Sequence, residues 1–245
     1  MKRTVALGLG MLVVASLVAL AQRSSVSNDL SIYANGGKPD LTIDPQRFVS
    51  QMEIVDRFFD PTDCALVEGT VGDVGYRRLL RFDTVVMNMG DGDLFVGDPT
   101  DPQNPYARKL EFAACHGHYH ISGFSDYQLL NLDHGRTPVA LGHKQAFCLE
   151  DSLKYSNDSK SHGYTCDFQG ITSGWGDWYY KQLSGQWIDI TGVPEGDYTV
   201  HNEVNAARLF KEGENRYPDV LEVVVHIPDP RKKVTIDNSP LKSGG

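Results

Sequence analysis

The six residues Cys115-His116-Gly117-His118-Tyr119-His120 concentrate more chemistry than any other part of the chain. The three histidines alternate. In an extended strand alternate side chains share a face, so the three imidazoles are expected to converge, with Gly117 and Tyr119 facing away. Converging imidazoles suit copper, zinc, iron or nickel. The competing account is a polar loop in which three of the chain's eight histidines cluster by chance. The His-x-His-x-His spacing is demanding enough to favour the metal.

Such a site needs a scaffold, and the pattern around it is that of strands. Tyr76 to Met89 holds alternating and apolar segments that end at the turn signal Gly90-Asp91-Gly92-Asp93. His118–Leu132, Gln186–Ile190, Tyr198–Val204 and the valine-rich Leu221–Ile227 read as further strands, the last stopped by Pro228 and Pro230. Asp44 to Phe59 reads as one short helix, with Asp44 as cap and Pro45 at the first helical position. Short strands with turns between them predict a mostly β chain. The expected architecture is an antiparallel β-sandwich core with long loops and few short helices. Residues 150–185 are rich in Gly, Ser, Asp and aromatics, and a loop that long is usually functional or disordered.

The ends suggest a compartment. Lys2 and Arg3 precede an apolar run from Val5 to Leu20, and Ala19-Leu20-Ala21 suits signal-peptidase cleavage. Residues 1–21 are therefore expected to be a signal peptide, with an uncleaved N-terminal anchor as the alternative. Residues 22–43 read as a polar N-terminal leader, 44–230 as the one folded domain and 231–245 as a polar, frayed tail. The mature protein is expected to be secreted or periplasmic, with no membrane attachment after cleavage. Losing Lys2 and Arg3 makes the formal charge of −9 two units more negative. That argues against nucleic acid as a partner. It favours basic or amine-bearing partners through weak, salt-sensitive steering. Four cysteines, Cys64, Cys115, Cys148 and Cys166, read as two disulfides in an exported chain, with three connectivities open. Cys115 as a metal ligand beside His116 ranks below a disulfide.

From about Cys64 to Val204 the chain resembles the catalytic domain of lysyl oxidases, bacterial relatives included. The blocks that carry the resemblance are Arg78-Leu79-Leu80-Arg81-Phe82, the histidine motif, Gly142-His143-Lys144-Gln145-Ala146-Phe147-Cys148-Leu149-Glu150-Asp151, Gln169-Gly170-Ile171-Thr172 with Asp177-Trp178-Tyr179, and Gln186-Trp187-Ile188-Asp189-Ile190-Thr191. They are long, collinear and specific. The resemblance implies a copper enzyme with a lysyl tyrosylquinone cofactor made from its own side chains. His116, His118 and His120 fall on the copper ligands, Lys144 on the crosslinking lysine and Tyr179 on the tyrosine that becomes the quinone. Tyr180 is the alternative in register. Asp177 falls on the proposed catalytic base; a loop-capping carboxylate is its alternative.

These residue types suit the implied chemistry. Copper exchanges single electrons, which zinc does not, so copper with oxygen can oxidise a nearby phenol. Lys144 adds to the oxidised ring only as a neutral amine, which requires burial or a nearby cation. The implied reaction takes primary amines, including lysine on a protein substrate, to aldehydes. Molecular oxygen is consumed, and hydrogen peroxide and ammonia are released. The alternatives are a non-catalytic secreted copper-binding protein and a zinc enzyme that uses the three histidines with water. Neither needs Lys144 or Tyr179. The resemblance also implies a Cys115–Cys166 bridge, which leaves Cys64–Cys148 as the second. Leu110 and Phe112 depart from the family's tryptophans, and the segment after Val204 lacks its acidic-Tyr-Asn-Asn ending. Both departures bear on substrate identity.

Overall fold

The computed structural model describes residues 37–132, 136–142, 146–213 and 216–242. The signal segment, most of the leader and Lys144 lie outside the described residues. The elements begin with β1 (Leu41–Ile43), α1 (Pro45–Ser50), β2 (Glu53–Phe59), α2 (Cys64–Val67), β3 (Gly75–Arg81), β4 (Thr84–Asn88) and β5 (Leu94–Gly97). The chain continues through β6 (Leu110–Ala113), β7 (His118–Ser122), β8 (Ser125–Asn131), β9 (Pro138–Leu141), β10 (Ala146–Phe147) and β11 (Leu153–Lys154). It ends with β12 (Gln169–Ile171), β13 (Trp175–Tyr179), β14 (Trp187–Asp189), β15 (Gly196–Val204), β16 (Val220–Ile227) and β17 (Thr235–Ile236). The protein is mostly β and antiparallel, with two short helices among the described residues, as its sequence predicts.

The strands divide among five sheets, ordered β1-β4-β13-β11, β10-β7-β6, β12-β5, β14-β3-β2-β17 and β16-β15-β8-β9. Among the described strands, β17 departs from antiparallel pairing and runs parallel to β2. The sheet built on β3 is apolar on both faces, which explains its consecutive leucines. Leu79 sits opposite Val55 and packs with Phe59 and Trp187; Leu80 sits opposite Ile54 and Ile188 and enters the larger core with Phe48, Phe82 and Tyr127. Successive residues on a strand point to opposite faces, so one Leu-Leu pair joins two cores.

Three expectations are corrected. The helix from Asp44 stops at Ser50. Asp44 caps it, its carboxylate accepting from the Gln46 and Arg47 N–H groups. The remainder, Glu-Ile-Val-Asp-Arg-Phe-Phe, is rich in β-branched and aromatic residues and pairs along its length with β3. Residues 41–43, read as leader, form β1, buried against β4. The tail is ordered over its described residues, 231–242. Arg81 donates to Asp237 and Glu53 at 2.6 Å each, and Arg57 donates to Asp237 at 2.8 Å and to the Ser239 carbonyl at 2.7 Å. The long segment 150–185 is likewise pinned. It contributes β11, β12 and β13, and Asp93 anchors its middle by pairing with His162 and accepting from the Tyr164 hydroxyl and the Ser173 N–H.

Asp237 thus pairs with two guanidinium groups, one of them almost wholly buried. Asp237→Ala is expected to destabilise the protein by about 3 kcal/mol, because it takes the carboxylate from Arg57 and leaves the buried Arg81 with Glu53 alone. Urea unfolding monitored by tryptophan fluorescence measures this; a midpoint unchanged from wild type would show that the C-terminal clamp contributes nothing.

Candidate copper and quinone site

The histidines lie on the β6–β7 hairpin. Leu110 pairs with Ile121, Glu111 with His120, Phe112 with Tyr119 and Ala113 with His118. His118 and His120 share one face through the two-residue period, while Tyr119 turns to the other, its ring 5.2 Å from Phe112. His116 differs from the sequence expectation, because it precedes the strand. It lies in the turn, where its N–H and that of Gly117 both bond the Ala113 carbonyl, at 2.9 and 2.8 Å. Gly117 has φ of 78°, a conformation that disfavours any side chain. The turn returns His116 to its two neighbours. Ring centroids lie 5.8 Å apart for His116–His118, 5.1 Å for His116–His120 and 4.8 Å for His118–His120. The Nε2 atoms of His118 and His120 are 2.9 Å apart.

The disulfides differ from the expected pairing. Cys64 bonds Cys115, and Cys148 bonds Cys166, with Cα separations of 5.9 and 5.1 Å. Neither Cys115–Cys166 nor Cys64–Cys148 forms. The reason is local. Helix α2 lies beside the hairpin turn and presents Cys64 to Cys115. The segment ending at Cys166 lies over the one starting at Cys148, because the Gly170 N–H bonds the Leu149 carbonyl at 3.0 Å and the Leu149 N–H bonds Gln169 Oε1 at 3.2 Å. The link between the histidine strand and the loop before Tyr179 is instead made by Gln169. Its buried Nε2 donates to the Tyr119 carbonyl at 2.7 Å and to the Cys166 carbonyl at 3.2 Å. His118, Cys148 and Cys166 present atoms that all lie within 4.8 Å of one another, so the second disulfide walls one side of His118.

Tyr179 and Asp177 occupy alternate positions on β13, opposite Thr84 and Val86, and both point inward. Trp178 points the other way, with Nε1 donating to Asp83 at 2.8 Å and the Arg47 guanidinium 4.5 Å from its ring. Tyr180 packs against Trp178 and Lys242. Of the two adjacent tyrosines it is Tyr179 that enters the interior. Its hydroxyl donates to Asp177 Oδ2 and to the Cys148 carbonyl, the latter at 2.9 Å, and its ring centroid is 4.1 Å from that of Phe147. Asp177 also accepts from the Glu150 N–H at 3.1 Å and from Ser152 Oγ at 3.4 Å. Burial raises the Asp177 carboxyl well above its ordinary range; the Tyr179 bond opposes that and the nearby Glu150 charge adds to it. Burial also raises the Tyr179 phenol, reinforced by the Asp177 charge. Cys148 joins the two halves of the site: its sulfur lies at His118 and its carbonyl at Tyr179. Lys144 precedes Phe147 by three positions in the chain.

The sequence reading missed Glu68, Gln169 and Ser152 as individual actors. Glu68 lies 3.0 Å from His116 Nε2. Its signal was its place four residues after Cys64, the spacing that puts two side chains on one helical face.

A mostly β, antiparallel domain thus gathers three imidazoles on one hairpin and a buried tyrosine–carboxylate pair on β13. The lysyl oxidase family model matches residues 61–222, and the chain belongs to the lysyl oxidase family. Lysyl oxidase homolog 2 of Bos taurus is 37% identical over 179 residues, covering 68% of this chain and 22% of that protein. Lysyl oxidase homolog 1 of Homo sapiens is 34% identical over 203 residues, covering 78% and 34%. Protein-lysine 6-oxidase of Homo sapiens is 33% identical over 192 residues, covering 74% and 44%. The chain therefore spans less than half the length of these relatives.

Because the native state holds the Asp177 proton to higher pH than the unfolded chain does, it binds more protons above about pH 4. The stability contributed by this group is complete below the unfolded pKa and is lost as pH rises through the native one. Asp177→Asn removes that dependence. Urea titrations from pH 4 to 8 should show wild type losing stability relative to the variant as pH rises; parallel curves would mean that Asp177 ionises in the fold as it does in water.

Proposed function

We propose that this protein is an exported, copper-dependent amine oxidase. It takes primary amines, peptidyl lysine among them, to aldehydes with release of hydrogen peroxide and ammonia. Copper on His116, His118 and His120 supplies one-electron exchange with oxygen, and a quinone made from Tyr179 and Lys144 supplies the electrophile for the amine. The observation that carries the reading is the placement of the buried Tyr179–Asp177 pair one residue, Cys148, away from the imidazole cluster. The donor set fits copper, since imidazoles suit it and the nearby cysteines are already oxidised.

The chain's own groups have definable tasks. Asp177 Oδ2 accepts the Tyr179 hydroxyl hydrogen bond, which places a carboxyl group beside the phenol whose proton must move. The Phe147 ring covers Tyr179 and limits water there. Glu150 and Ser152 hold the Asp177 carboxylate through its two oxygens. The acidic surface favours approach of cationic substrates, an effect that added salt weakens. The two disulfides suit an oxidising compartment, and among the described residues no helix is long and apolar enough to cross a membrane.

Wild type is expected to retain one copper per chain, and alanine at His116, His118 or His120 to lower retention strongly. Metal analysis after dialysis checks this, and an unchanged triple variant would place the metal elsewhere.

Aerobic incubation with a primary amine should release peroxide and aldehyde, and phenylhydrazine should label the peptide that holds residue 179. Tyr179→Phe and Lys144→Ala should keep copper and lose these signals, the second through loss of the crosslink. Peroxide release equal to wild type in both variants, at matched copper content, would leave bound copper rather than a quinone as the reactive group. The oxidase reading would then be abandoned.

A further inference from the structure

We propose that Glu68 is a positioning residue for copper, its carboxylate holding the His116 ring so that it joins His118 and His120 at the metal. The inference rests on the copper reading of the three histidines. Alternation along β7 aligns His118 and His120 without help. It does nothing for His116, which sits before the strand in a turn that depends on Gly117. Something else must orient that ring, and the Glu68 carboxylate lies 3.0 Å from its Nε2. The His116 side chain is 2% exposed and that of Glu68 20%, so this contact is partly shielded from water, which favours a charge-assisted hydrogen bond. A ligating histidine that gives one ring N–H to a carboxylate has its tautomer fixed and its basicity raised. Here that bond takes Nε2–H and leaves the lone pair on Nδ1.

Glu68 is itself held in place. It caps the C-terminus of α2, with its N–H bonded to the Cys64 carbonyl at 2.8 Å. Cys64 is bridged to Cys115, the residue before His116. The ring of contacts runs from Cys64 to Cys115, on to His116, across to Glu68 and back to Cys64. The two partners are 48 residues apart in sequence, so their meeting depends on this closure rather than on local chain geometry.

The test uses the purified full chain loaded with copper. Affinity is measured by competition with a chelator, and the copper environment by electron paramagnetic resonance. Glu68→Ala is expected to weaken copper binding about 10–100-fold and to change the spectrum. Glu68→Gln keeps an oxygen that accepts the same N–H, so it is expected to restore most of the affinity and the wild-type spectrum. Melting of the metal-free variants checks the fold. Should Glu68→Ala melt early, Glu68→Asp replaces it, keeping the charge but shortening the reach, with weakened binding again expected. If wild type binds one copper and the shortened variants match it in affinity and spectrum, Glu68 has no positioning role and the copper reading stands. If Glu68→Gln is as weak as Glu68→Ala, the carboxylate is a direct ligand and positioning is wrong. If wild type itself binds no copper, the copper reading fails and takes this inference with it.

Discussion

The amide of Gln169 is the constraint on which the arrangement of the site depends. Its side chain is fully buried and uses both ends: the oxygen accepts from Leu149, and the nitrogen donates to carbonyls of Tyr119 and Cys166. Three chain segments meet there: the histidine strand, the segment that begins at Cys148 and the loop that leads into β12 and β13. A buried amide left without partners costs on the order of 1–3 kcal/mol per group, so the three segments are held together as a set. The histidines and Tyr179 belong to separate sheets, and this meeting fixes their relation together with the β10–β7 pairing and the Cys148 carbonyl.

Strand periodicity does the finer placement. On β13 it turns Asp177 and Tyr179 inward and sends Trp178 outward to Asp83 and Arg47. On β3 it splits Leu79 and Leu80 between two cores. A register slip of one residue would bring Trp178 or Tyr180 to the position where a phenol meets a carboxylate. The site is therefore specified by the same apolar pattern that specifies the fold, and the pairing of β13 with buried β4 keeps the register from drifting.

Much of this was legible in the sequence, and the losses have identifiable causes. The strands around Leu79, Val200 and Val223 announced themselves through alternation and β-branched residues. Asp44 and Pro45 gave the start of a helix, but its end carried no breaker, so β2 was absorbed into it. Asp237 and the tail were misread because their partners, Arg57 and Arg81, lie over 150 residues away, and composition is blind to a clamp of that kind. The histidine cluster was visible because its spacing is local. Glu68 and Gln169 were not, since each acts on a segment remote in sequence. The cysteine pairing failed for the same reason: connectivity follows from which segments stack, and that is a property of the assembled sheets.

The Cys148–Cys166 bridge has a consequence for metal identity as well as for rigidity. The bridged sulfurs and His118 lie within 4.8 Å of one another, and in a reduced chain those positions would offer an imidazole and two thiols. That is a soft donor set of the sort that captures zinc or cuprous ions. Oxidation withdraws both sulfurs from competition and leaves the imidazoles as the available donors. The order of events then matters for a newly made chain, because a metal that arrives before the bridge closes meets a different set of ligands from one that arrives after. On the copper reading proposed above, the bridge would act as a chemical filter on maturation, tying the choice of metal to the redox state of the compartment in which folding finishes.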